Sequence, residues 1–154
     1  MHSILNLSMH KVSYNFMKEP VERIMGKISK MSQDTLRKIL INLDIDRSFY
    51  PLILIEAGNG ITQQELAHEL SCDKVQVVRI IDYLSLNGYV ERIQNKTDKR
   101  KYELVITEKA KKVIPDIKKA FYELSAISLK GLSENQRNDL YAMLVTIESN
   151  LYNN

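Results

Sequence analysis

One cysteine, Cys72, stands in a chain of 154 residues, which excludes an internal disulfide and any zinc site built on several sulfurs. Tryptophan is absent, and no apolar run approaches the roughly 20 residues that cross a bilayer, so no membrane span or membrane partner is expected. The first 20 residues are broken by polar side chains every few positions and lack an apolar block followed by small residues. A secretory signal is therefore not expected, and the cytoplasm is the expected location. There is no Gly-rich phosphate loop, nucleophile elbow or paired acid/base motif, so no catalytic residues are assigned and an enzyme is not expected. His2, His10 and His68 are scattered with no pair at helical spacing, so no cofactor and no metal site are expected; a site shared by His10, His68 and carboxylates is the weaker alternative.

A hydrophobic content of 44% suits one globular domain. The formal net charge of +3 is too small to name a partner, so its placement matters more. Residues 92–101 hold Arg92, Lys96, Lys99, Arg100 and Lys101 against Asp98 alone. So much like charge in a short stretch requires an explanation.

Periodicity predicts the elements. From Pro20 to about Asp46, Val21, Ile24, Ile28, Met31, Leu36, Ile39, Leu40 and Leu43 recur at three- and four-residue steps, as on one helix face. A shorter helix is expected over about 48–57. Thr62 and Glu65 form a capping box that opens another, and after a tight turn "SCDKVQVVRIIDYLSLNGY" reads as a further helix, capped by Ser71 or Asp73 and ended by Gly88. "YVERIQ" and "KYELVI" are β-prone runs joined by the six-residue link "NKTDKR". Thr107 caps a helix with Val113, Ile117, Phe121, Leu124 and Ile127 or Ser128 on one face, with a kink expected at Pro115. A last helix opens at the Ser133/Gln136 capping box and aligns Leu140, Leu144, Ile147 and Leu151.

Two short helices joined by a tight turn and followed by a hairpin make a winged helix-turn-helix in a mainly α (α+β) fold. In the second of those helices Val77, Ile80, Ile81 and Leu84 would face the core, leaving Lys74, Val75, Gln76, Val78 and Arg79 outward. Valine methyls, a glutamine and an arginine form a poor solvent surface but can read base edges in a DNA major groove. The hairpin tip, with Lys96, Asp98, Lys99, Arg100 and Lys101, would lie beside it, Arg100 entering the minor groove with Asp98 orienting its guanidinium. Clustered cations that repel one another in water are relieved on a polyphosphate. The long amphipathic flanks carry more apolar surface than the small centre can cover, so a homodimer is expected.

The "DKR" ahead of Thr107, "ITQQELAHEL", "VVRIIDYLSLNGYVER" and the order of the flanking helices together resemble the MarR family of bacterial transcription regulators over about residues 20–152. The resemblance rests on a D-x-R wing motif, here ending Ile106-Thr107 in place of Leu-Thr. It implies a dimer whose flanks (1–46 and 108–154) pair and whose winged helices (47–107) bind a palindromic operator in double-stranded DNA. It also implies a repressor relieved by a small aromatic or phenolic effector between the two regions, for which Tyr14, Arg47 and Tyr50 are the candidate lining. Val75 and Val78 depart from the small hydroxyl residues frequent in relatives, so operator sequence does not carry over.

Two other readings stand beside this one. Cys72 near a helix start would suit a redox- or metal-responsive regulator on the same scaffold, against a plain role as a small packing residue. A winged helix can also serve protein contact without reading DNA. Arg79 could simply pair with Asp82 along its own helix.

Overall fold

The structure, a computed structural model, describes residues 19–95 and 97–152. Helix α1 (Val21–Ile39) opens after Pro20 with Glu22 in its first turn and closes with Arg37 and Lys38 in its last, charges that oppose its dipole at both ends. The sequence predicts a helix to about Asp46, but the chain leaves it after Ile39. Leu40 and Ile45 are buried and Leu43 packs beside them, so the apolar spacing persists through a turn closed by Leu43 N–H to Leu40 O at 2.9 Å. Asn42, Asp44 and Asp46, which favour turns over helix interiors, end the helix while the apolar residues stay inward.

Helix α2 (Phe49–Gly58) buries Phe49, Leu52 and Ile55. Strand β1 (Ile61–Thr62) leads into α3 (Gln63–Glu69), and a tight turn leads to α4 (Lys74–Leu86). Gly88, at φ 73, takes the left-handed turn that a side chain resists and sends the chain into β2 (Val90–Gln94), which pairs antiparallel with β3 (Tyr102–Ile106) from Val90↔Ile106 to Gln94↔Tyr102. The expected β2–β3 hairpin forms, and β1 adds a third strand to it in the order β1-β3-β2.

Thr107 caps α5 (Glu108–Ser128) by accepting from Ala110 N–H at 3.2 Å, and its hydroxyl donates to Gly88 O at 2.7 Å. The helix runs through Pro115 as one element. Its buried stripe is Ala110, Ile114, Ile117 and Ala120, with Val113, Phe121 and Leu124 half-buried beside it and Ile127 exposed. Ala110 and Ala120 belong to this stripe, which turns the expected face by about one residue. The last helix, α6 (Glu134–Tyr152), opens at the Ser133/Gln136 capping box and buries no residue.

The core gathers Leu52, Leu66, Ile81, Leu84, Tyr89, Leu104 and Ile117, drawn from α2, α3, α4, the sheet and α5. Each fully buried aliphatic side chain contributes about 1.5–3 kcal/mol. The flanking helices are different: Val21, Ile24, Ile28 and Met31 of α1 and Tyr141, Met143, Val145 and Leu151 of α6 are all exposed.

Candidate nucleic-acid interface

Thr62 and Glu65 close a reciprocal capping box: Glu65 N–H donates to Thr62 Oγ1 at 3.2 Å, and Thr62 N–H donates to Glu65 Oε2 at 2.7 Å. These bonds, the backbone one first, hold the Glu65 carboxyl below the usual glutamate range. Asp73, the second of the two candidate caps, accepts from Gln76 N–H at 2.7 Å and starts α4. Val77, Ile81 and Leu84 anchor α4 in the core. Its opposite side shows Lys74, Val75, Gln76 and Arg79 to solvent, Val75 being 59% exposed. Val78 is half-buried and contributes only part of its surface. Asp82 pairs with Arg92 of β2 at 2.6 Å instead of with Arg79, which has no acidic partner among the described residues.

The wing link between β2 and β3 is residues 95–101, one more than expected because β3 begins at Tyr102, and Asn95 N–H donates to Lys101 O across its base at 2.9 Å. It is tightly tied. Asn95 Oδ1 accepts from the Thr97 and Asp98 N–H groups, each at 2.8 Å, while Gln94 Nε2 donates to Lys99 O at 2.6 Å and Lys101 N–H to Asp98 O at 2.9 Å. Asp98 does not hold the Arg100 guanidinium. It accepts from Arg100 N–H at 3.1 Å, as a short acidic side chain does in its own turn, and among the described residues its ion-pair partner is Lys101 at 4.0 Å. Lys99 and Arg100 stand exposed on a turn whose backbone these bonds restrain.

Between α1 and α2, residues 44–47 form the strap that joins the flanking helices to the winged unit. Tyr89 donates its hydroxyl to Asp44 O, and Lys109 bridges Asp44 Oδ2 at 2.7 Å and Asn87 O at 3.0 Å. That hydrogen bond to Asp44, more than any other contact, raises the Lys109 pKa, while burial raises that of Tyr89. Beside the strap lies a cavity of about 410 Å3 whose wall includes Ser32, Arg37, Arg47, Tyr50, Ile80 and Phe121. Tyr50 and Phe121 meet edge to face with centroids 6.2 Å apart.

Comparison with known proteins converges on this arrangement. The MarR family model matches residues 47–102, the stretch from the strap through both short helices to the wing. Residues 47–102 are a MarR-type domain. The uncharacterised HTH-type transcriptional regulator YybA of Bacillus subtilis (strain 168) is 27% identical over 111 residues, 71% of this chain and 74% of its own length. The crystal structure of the transcriptional regulator SlyA superposes with a TM-score of 0.81 at 25% identity, covering 86% of this chain and 94% of that one. A MarR family regulator from Listeria monocytogenes, solved in complex with a 26mer DNA, gives 0.78 at 26% identity over 86% and 89%. A MarR-type domain within this winged-helix fold marks a transcriptional regulator rather than an enzyme.

Within that MarR frame the structure places Lys74, Val75, Gln76 and Arg79 on one side of α4 and Asp98, Lys99, Arg100 and Lys101 on the wing. Lys96 and Tyr14 lie outside the described residues, as do His2 and His10, whereas Arg47 and Tyr50 do share one cavity. Sequence reasoning missed Arg37, Asp46 and Tyr83, which adjoin that cavity or the strap; partners as far apart as Asp46 and Tyr83, 37 residues, leave no periodic signal. Cys72 is half-buried against the core. Among the described residues no group of three or more His, Cys, Asp or Glu side chains gathers, and no helix is long and apolar enough to cross a membrane.

Proposed function

We propose that this chain is a cytoplasmic repressor that binds a palindromic operator in double-stranded DNA as a homodimer and releases it when a small aromatic anion fills the cavity beside the strap. The observation that carries the DNA reading is the Arg92–Asp82 bridge, which ties a cationic wing to a helix that exposes Val75, Gln76 and Arg79. Gln76 suits adenine, Arg79 guanine or phosphate, and Val75 a thymine methyl. Lys99, Arg100 and Lys101 supply phosphate and minor-groove contacts. The DNA-bound relative from Listeria supports the same use of the fold.

Residues 1–46 and 108–154 form the pairing region in this reading, and 47–107 the DNA-binding region. The apolar residues that α1 and α6 leave uncovered need a second copy. Twofold pairing presents two α4 helices to half-sites about one DNA turn apart. The effector class follows from the cavity wall: Tyr50 and Phe121 offer ring contacts, and Arg37 and Arg47 offer charge for a carboxylate or phenolate.

Selection of genomic fragments by the purified protein, followed by footprinting, tests this function. Two protected half-sites in a promoter, lost on addition of an aromatic carboxylate, are the expected result. Retention of all sequences alike, or of none, would remove it.

A further inference from the structure

The reading helix touches the cavity itself. Ile80 of α4 lines its wall, and Tyr83, three residues on, ends on the strap that carries Arg47. Tyr83 and Asp46 exchange two hydrogen bonds: the phenol donates to Asp46 Oδ1 at 2.5 Å and accepts from Asp46 N–H at 3.2 Å. The Arg47 guanidinium lies over the Tyr83 ring, 4.2 Å from its centroid, with Nε 3.9 Å from the Asp46 carboxylate. Arg37, also on the cavity wall, donates to Asp46 O at 3.4 Å. Burial first, then the bond to Asp46, pushes the Tyr83 phenol up, so it stays a donor at neutral pH.

Resting on the cavity reading above, we infer that Tyr83 is a positioning residue that fastens the DNA-reading helix to the strap, and that Arg47 makes this fastening sensitive to what fills the cavity. The guanidinium has two competing seats. In this structure it stacks on Tyr83 and faces Asp46; an anion in the cavity offers a full charge and draws it inward. Tyr83 then loses its stacking cation and Asp46 its nearby positive charge. The hydrogen-bonded pair is left without the group that holds the strap over the ring. Because α4 carries Gln76 and Arg79 on the turns just before Tyr83, a change at the strap alters how those side chains are presented. Coupling of this kind is reciprocal: DNA that holds α4 in its latched pose lowers affinity for the anion by the same factor.

The test uses the full-length protein, a duplex it selects from random sequence, and benzoate as the probe. Saturating benzoate should weaken duplex binding by the wild type about tenfold. Tyr83→Phe keeps the ring and its stacking face but loses both hydrogen bonds to Asp46. It should bind benzoate within about twofold of the wild type, while its benzoate-induced loss of duplex affinity falls below about threefold. Arg47→Lys, which keeps the charge without the flat stacking surface, should uncouple in the same direction. Undiminished coupling in Tyr83→Phe overturns the inference, and undiminished coupling in Arg47→Lys overturns the part assigned to Arg47. A merely structural role would lower benzoate affinity and Tm together, which Tyr83→Phe is expected to leave nearly unchanged. Failure of benzoate to bind the wild type removes the cavity reading instead. The fastening is then judged on duplex affinity alone, which Tyr83→Phe lowers about threefold or more if the tether matters and leaves unchanged if it does not.

Discussion

The Arg92 guanidinium of β2 sits 2.6 Å from the Asp82 carboxylate of α4, so one ion pair ties the wing to the reading helix. Both side chains are close to half exposed, at 40% and 48%, which limits the pair's contribution to folding to about 0–1 kcal/mol. Its larger effect is on geometry, because a tethered wing has less freedom to lose on DNA.

Asp82→Ala is expected to shift unfolding by under about 1 kcal/mol and to weaken duplex binding by about three- to tenfold. Removing an acid near DNA would by charge alone strengthen binding. Titration of a fluorescent duplex therefore separates the two effects, and a gain in affinity would rule out the tether.

Leu104 is 1% exposed and pairs across the sheet with both Ile61 and Arg92. Leu104→Ala should cost about 3 kcal/mol, through lost burial and the cavity left behind. Urea unfolding followed by circular dichroism measures it. A loss under about 1 kcal/mol would mean that the sheet does not close the core as described.

The Glu65 carboxyl is held below its ordinary range by the Thr62 N–H and hydroxyl. A depressed folded-state pKa adds stability that is fully present above the unfolded-state value and is lost as pH falls through the folded-state one. Acidification from about pH 6 to about pH 3 should thus lower the wild-type Tm more than that of Glu65→Gln, whose neutral amide does not titrate. Equal losses in the two proteins would show that this cap does not contribute to acid sensitivity.

Leu144 is 39% exposed and lies on α6, a helix that buries nothing within its own chain. The wild type should sediment as a dimer at micromolar concentration, and Leu144→Asp should shift it toward monomer with little change in helical signal. A monomeric wild type would leave the apolar flanks without their proposed partner.

Much of this was legible in the sequence wherever one residue type fixes local geometry. Thr62/Glu65, Asp73, Thr107 and Ser133/Gln136 mark the helix starts through hydrogen bonds made within three residues. Periodicity placed Val77, Ile81 and Leu84 inward for the same local reason. It failed past Ile39, where Leu40 and Ile45 remain buried through a turn, and on α5, where Ala110 and Ala120 share the buried stripe. Strand β1 is two residues long, too short to show alternation. The cationic loop was visible as composition, but the role of Asp98 depended on a turn geometry that composition does not encode. Tyr83 with Asp46, and Tyr89 with Asp44, join residues 37 and 45 positions apart, so only the folded chain reveals them.

The most direct measurement is duplex affinity as a function of sodium chloride concentration for the wild type and Arg100→Ala. Binding through the wing and α4 requires log K to fall linearly with log salt, with a slope of several units that becomes shallower by about one in the variant. Affinity indifferent to salt, or an equal slope in both proteins, would contradict phosphate contact by the Lys99–Arg100 tip.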